Sequence, residues 1–302
     1  MKVTIDLDQL LQQGKINQAE YDKFSQLSAR GTASLAFNIL VGFGVIAVCA
    51  ALLALLPTTG VAVTLGLAIC AAGVALVYMQ NEQWLVLANI FILVGALLFG
   101  GGVIYLYDGS LAAFLLVAAA FAAAGVLIRS VLLTVLGVLA LSSCLGVRTG
   151  YFQASYFLGL QEPALTVALF SIFSIAMYQL SQRITASYQG IAIAAARTGV
   201  FLVNFGFWIG SLWGDSTREG TIDSRVFAIL WALALLAAGA WAWKQNRRWL
   251  VNVVAVFGAI HFYTQWFEHL EASAQTVLLA GLLALSFAVA LRAVNLKLSA
   301  KG

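Results

Sequence analysis

Two stretches late in the chain carry the residue types best suited to chemistry. On a helix, His261, Gln265, Glu268 and His269 fall at i, i+4, i+7 and i+8 and so form one polar stripe, with Tyr263 in the same stretch. Imidazole and carboxylate groups at such spacing can form a hydrogen-bonded network, pass protons or supply part of a metal site. The second stretch leads from the amide of Asn204 through Phe205, Gly206, Phe207 and Trp208 to the carboxylate of Asp215. Asp215 could meet His261 or His269 as a buried pair, a proton-relay element or half of a metal site. The tight His-Glu-x-x-His arrangement of zinc hydrolases is absent, as are a P-loop, a dinucleotide-binding glycine fingerprint and a nucleophile elbow. The candidates Asn204, Trp208, Asp215, His261, Tyr263, Gln265, Glu268 and His269 are therefore read as a polar network or substrate path. No catalytic residue, metal or cofactor is expected.

The elements that must position these groups follow from composition. The chain is 62% hydrophobic and 9% charged, with a mean hydropathy of +0.96, whereas soluble proteins are about half apolar and a quarter charged. A hydrocarbon core about 30 Å thick takes roughly 20 apolar residues per helix. Ten such spans can be drawn, at 36–56, 60–79, 84–106, 110–127, 130–147, 163–180, 191–213, 226–243, 249–267 and 274–291. A β-barrel would need alternating polarity, and the run from Leu111 to Ala124 does not alternate. The expected fold is an all-α transmembrane bundle of about ten helices over 36–292, preceded by a cytoplasmic helical hairpin over 1–35 and followed by a short cytoplasmic tail over 293–302. Links such as Pro57-Thr58-Thr59 permit only tight antiparallel hairpins.

Charge sets the expected orientation. With both termini inside, all of the sixteen Lys and Arg residues except Arg148, Arg218 and Arg225 face the cytoplasm, in accord with the positive-inside bias. Asp108, Glu162, Asp215, Glu219, Asp223, Glu268 and Glu271 fall outside. The net charge of +4 is distributed over juxtamembrane loops, which points to anionic lipid headgroups and not to nucleic acid. Acidic residues and the lack of an apolar run in the first 30 residues argue against a cleaved signal peptide. Cys49, Cys70 and Cys144 lie in apolar spans and read as small core residues.

Other residues have structural readings. Trp208, Trp213 and Trp266 are expected near the outer headgroups, and Trp241, Trp243 and Trp249 near the inner ones. Asn38, Asn89 and Asn252 suit hydrogen bonds between helices, and Arg197 is expected to reach the inner interface. Glycines and alanines in the first half, including Gly95 and the Gly100-Gly101-Gly102 run, suit close helix packing. The glycine run has an alternative reading as a break beside a transport site.

Near the N-terminus, Leu7, Leu10 and Leu11 give one helix an apolar side, Gly14 closes it, and Asn17 with Glu20 caps a second helix that carries Ile16, Tyr21, Phe24 and Leu27. The pattern from Leu10 to Tyr21 resembles the short "G-x-I-T-x-E-E-[FY]" helical modules of many bacterial proteins, with Asn17 where Thr is usual. That resemblance implies a partner or self-association through the hairpin. As a whole, the chain resembles families of bacterial membrane proteins of unknown function. In length and topology it is also similar to the drug/metabolite transporters. The expectation is a bacterial inner-membrane binding or assembly protein, the alternative being a secondary transporter or exporter of a small amphipathic solute or lipid.

Overall fold

A computed structural model describes residues 10–11, 13–79, 81–146, 148–152, 155–215, 222–271 and 273–299. Among them are ten α-helices: α1 (Gln18–Leu55), α2 (Thr59–Tyr78), α3 (Leu85–Leu106), α4 (Leu111–Leu127), α5 (Val131–Ser143), α6 (Pro163–Ser181), α7 (Ala186–Trp213), α8 (Ser224–Lys244), α9 (Arg248–Leu270) and α10 (Ala274–Ser299). A two-stranded antiparallel hairpin, β1 (Arg148–Phe152) with β2 (Ser155–Gly159), lies between α5 and α6. Among the described residues, seven helices are long and apolar enough to cross a membrane, which makes this a multi-pass helical membrane protein. Large apolar side chains such as Leu40 and Leu236 are each 71% exposed, as residues facing lipid should be.

Local chemistry sets the helix starts. Asn17 and Glu20 form a reciprocal capping box: Glu20 N donates to Asn17 Oδ1 at 2.8 Å, and Asn17 N donates to Glu20 Oε2 at 2.9 Å. Thr58, Ser110 and Asp223 accept from the first turns of α2, α4 and α8, and Pro163 opens α6, where its missing N–H costs nothing. Gly14, at φ +66°, makes the turn before the capping box. Leu10 and Leu11 are helical, while the rest of the expected first hairpin helix lies outside the described residues. Replacing Asn17 with Ala should cost about 1 kcal/mol of local stability. That is about a five-fold rise in amide exchange at Glu20, and an unchanged rate there would refute the capping role.

Several elements differ from expectation. The N-terminal segment and the first span are one helix of 38 residues with no break near residue 35. α7 begins at Ala186, so its polar first turn precedes the apolar span. α5 stops at Ser143, short of its expected end at 147, while α4 keeps its expected bounds; they have 13 and 17 residues, about 20 and 26 Å at 1.5 Å per residue. Neither reaches the roughly 30 Å of a hydrocarbon core. The β-hairpin falls in what reads as a loop, yet Tyr151, Phe152, Tyr156 and Phe157 are good strand formers. Helix α3 runs unbroken through the Gly100-Gly101-Gly102 run.

The chain divides into two compact units. The first comprises residues 1–141 and 186–191. Its tightest packing is between α2 and α3, where glycines let backbones meet. A Cβ on Gly66 would lie 2.5 Å from Phe99 N and 2.8 Å from Gly95 O, and one on Gly95 would collide with Cys70 N. Ile92, Ala96, Val103, Val117, Phe121 and Leu133 form the adjoining core. Gly100 faces Val117 and Phe121, and Gly102 faces Val63, so these glycines serve packing. Asn38, 2% exposed, donates to the Gln83 carbonyl, while Asn89 bonds to Leu85 O of its own helix at 2.9 Å. Arg129 lies over the Tyr188 ring at 5.1 Å.

The second unit comprises residues 142–185 and 192–302. Phe207, Phe227, Trp231, Leu235 and Phe257 from α7, α8 and α9 form its core. At the end of the unit where α8 turns into α9, Arg197 lies 5.1 Å over the Trp249 ring and Arg247 lies 5.7 Å over that of Tyr178. Tyr178 in turn meets Trp241 edge-to-face at 6.1 Å. Arg197 is thus exposed and paired with an aromatic face, an arrangement suited to a membrane interface.

Candidate functional site

The candidate residues gather around a tryptophan in the middle of α8. Trp231 is fully buried at 0% exposure. Its Nε1 donates to Asn204 Oδ1 of α7 at 2.9 Å, and Asn204 Nδ2 donates to Val200 O at 2.9 Å. The amide is therefore satisfied at both ends. On another side, the Trp231 ring meets the His261 imidazole of α9 edge-to-face, with centroids 4.9 Å apart at 76°. A single indole thus ties three helices together through a hydrogen bond and a ring contact. One turn along α7 from Asn204, Trp208 Nε1 donates to Thr264 Oγ1 of α9 at 3.0 Å.

The polar stripe of α9 opens into a groove. Arg225 from the start of α8 and His261, Gln265 and His269 from α9 line it, with Ile229 and Ala232 among its apolar walls, and its volume is about 370 Å³. That lies within the roughly 300–1,000 Å³ of small-molecule sites. His261 Nδ1 and Gln265 Nε2 are buried and have no hydrogen-bond partner among the described residues. Such groups are costly to leave unmatched in a low-dielectric setting. Deeper in the same unit lies a second cavity of about 200 Å³, bounded by Asn204, Trp231, Ser174, Leu235 and Val254 among others. It is chiefly apolar, because Ser174 Oγ is turned to Phe170 O at 2.6 Å and Asn204 is spent on Trp231.

The remaining candidates lie elsewhere. Asp215 Oδ2 accepts from Ala164 N at 3.3 Å, which places a negative charge at the N-terminus of α6, where the helix dipole favours it. Asp215 N donates to Ile222 O at 3.0 Å across an isolated β-bridge. Tyr263 stacks with Phe267 at 6.0 Å and meets Phe262 at 5.4 Å, and it does not line the groove. Glu268 is exposed and also outside the groove lining. Among the described residues, no group of three or more His, Cys, Asp or Glu side chains is placed to hold a metal ion. No family model, curated protein or solved structure matches the chain.

Sequence reasoning passed over Trp231, Arg225 and Thr264. The signal for Trp231 was available, since a tryptophan eight positions into α8 and thirteen before its end is too deep for an interfacial belt. In the sequence, Arg225 precedes the apolar span at 226–243 and reads as a loop charge. Only the pairing of α8 with α9 brings it level with His269.

Proposed function

We propose that the protein is a multi-pass binding protein of the bacterial inner membrane that holds a small amphipathic molecule in its second unit, with both ends of the chain cytoplasmic. The observation that supports this best is the groove between α8 and α9. Gln265 Nε2 and His261 Nδ1 are buried there without partners among the described residues, and apolar walls from Ile229 and Ala232 stand beside them. A ligand bringing polar acceptors and an apolar body matches both surfaces. The basic-residue bias supports the orientation. In this reading the capped N-terminal end of α1 is the element that meets a protein partner or a second copy.

Ile229 is 62% exposed, so Ile229→Trp fills the groove without disturbing the core. Full-length protein purified in mild detergent should carry a stoichiometric amphiphile, identified by mass spectrometry of a solvent extract, and Ile229→Trp should lose it. Equal content in both proteins would overturn the reading.

Transport is a second reading, supported by one observation. Trp231 borders the inner cavity, and its ring is in contact with His261, which lines the groove, so the indole sits between two compartments as a gate would. Proteoliposomes loaded with the extracted amphiphile should then show flux that Trp231→Phe alters. Flux independent of Trp231 would remove this reading.

A further inference from the structure

We propose that the groove between α8 and α9 binds the phosphate of an anionic phospholipid, with Arg225 and His269 holding the headgroup and Gln265 reaching the ester region. The inference rests on the binding reading above and assigns its ligand. α8 and α9 are joined by a turn at Gln245 to Arg247 and pack as an antiparallel pair, with Trp231 level with His261. Six residues from Trp231 towards the N-terminus of α8, about 9 Å at 1.5 Å per residue, stands Arg225. Along α9 in the same direction, His269 stands eight residues from His261, about 12 Å. Arg225 and His269 therefore sit near the helix ends, where the headgroup layer lies for spans of this length.

The donors run inward from there. Arg225 and His269 are exposed at the mouth, and Gln265 and His261 lie successively deeper. His269 and His261 are eight residues apart, so this ladder covers about 12 Å along the helix. A glycerophospholipid presents its polar atoms in the same order: phosphate oxygens outermost, ester carbonyls beneath, then acyl chains. Arginine suits the phosphate because its guanidinium offers a planar fork of donors. Gln265 Nε2 is a neutral donor suited to a carbonyl oxygen, and like His261 Nδ1 it is buried without a partner among the described residues. Ile229 and Ala232 continue the wall along α8 as an apolar face for the chain.

The electrostatics favour an anion over a zwitterion. Among the described residues, no carboxylate lines the groove. Asp223 is turned to the start of α8, where its Oδ1 accepts from Arg225 N at 2.8 Å, and Glu268 and Glu271 are exposed and outside the groove lining. A cationic headgroup such as choline would meet Arg225 with like charge. A free phosphate could use Arg225 and His269 but would leave Gln265 and the apolar wall unmatched, which is why a lipid is the assigned source.

The full chain in detergent, titrated by native mass spectrometry, tests this. Phosphatidylglycerol should fill one saturable site at least ten-fold more tightly than phosphatidylcholine or diacylglycerol. Arg225→Gln and Gln265→Leu should each weaken phosphatidylglycerol binding by about ten-fold or more. Arg225 is exposed, so Arg225→Gln should leave thermal stability unchanged. Equal binding of the three lipids, or Arg225→Gln binding like wild type, would overturn the inference while leaving an amphiphile site intact. Inorganic phosphate displacing the lipid at matching concentration would assign the site to free anions and overturn the lipid source. Loss of all lipid binding in wild type would instead sink the binding reading itself.

Discussion

Trp231→Ala is expected to destabilise the second unit by roughly 2–4 kcal/mol, below the 3–5 kcal/mol typical of burying-residue losses in water. Lipid is as apolar as the protein core, so transfer from water drops out, while lost dispersion contacts and a residual cavity remain. The change removes the partner of Asn204 Oδ1, the edge contact with His261 and a fully buried indole. Trp231→Phe separates these contributions. It keeps most of the volume and deletes the hydrogen bond, which inside a bilayer is worth about 0.6 kcal/mol on average and at most about 1.7. Thermal unfolding in detergent should therefore rank wild type above Trp231→Phe and that variant well above Trp231→Ala. If the two variants were equally unstable, the hydrogen bond and not the packing would be the main link.

Gly95→Leu should be at least as damaging to the first unit. Overpacking usually costs about 1–3 kcal/mol, because a neighbouring side chain can rotate away. Here the obstacle is backbone: a Cβ on Gly95 meets Cys70 N, and one on Gly66 meets Phe99 N. Neither can move without displacing a helix, so we expect more than about 3 kcal/mol and separation of α2 from α3. Gly101→Ala serves as the comparison, since nothing lies within 4 Å of its added Cβ, and it should be neutral or slightly stabilising because Ala favours the helix. The readouts are the midpoint of thermal unfolding and the rate at which Cys70 is alkylated in detergent. A Gly95→Leu protein with wild-type values for both would refute the close-packing account.

These two residues also show what a single sequence reveals. The helical character was plain from apolar run length, and Gly95 stood out as a packing residue because lipid offers helices little reason to associate except close approach. The capping box at Asn17 and Glu20 is equally local and was equally readable. The stripe of His261, Gln265 and His269 could be drawn from spacing alone, but its facing partner could not. Arg225 joins it only because the α8–α9 turn sets the register of two antiparallel helices, which no local pattern encodes. Asp215 illustrates the converse. A carboxylate near two histidines in a threading diagram is drawn instead to the start of α6, where backbone N–H groups and a helix dipole compete for it. The break between α4 and α5 at Arg129 was legible, but the early end of α5 at Ser143 was not, because Cys144, Leu145 and Val147 continue the apolar run.

The unbroken α1 has a mechanical consequence. Its 38 residues extend about 57 Å at 1.5 Å each, while the apolar stretch Phe37–Leu55 of 19 residues already matches a hydrocarbon core about 30 Å thick. The other half continues the same helix for about 28 Å beyond that apolar stretch. Anything that grips its capped tip is joined to the apolar half by continuous helix. A tilt imposed there is carried as leverage into the buried half, with no loose tether to absorb it.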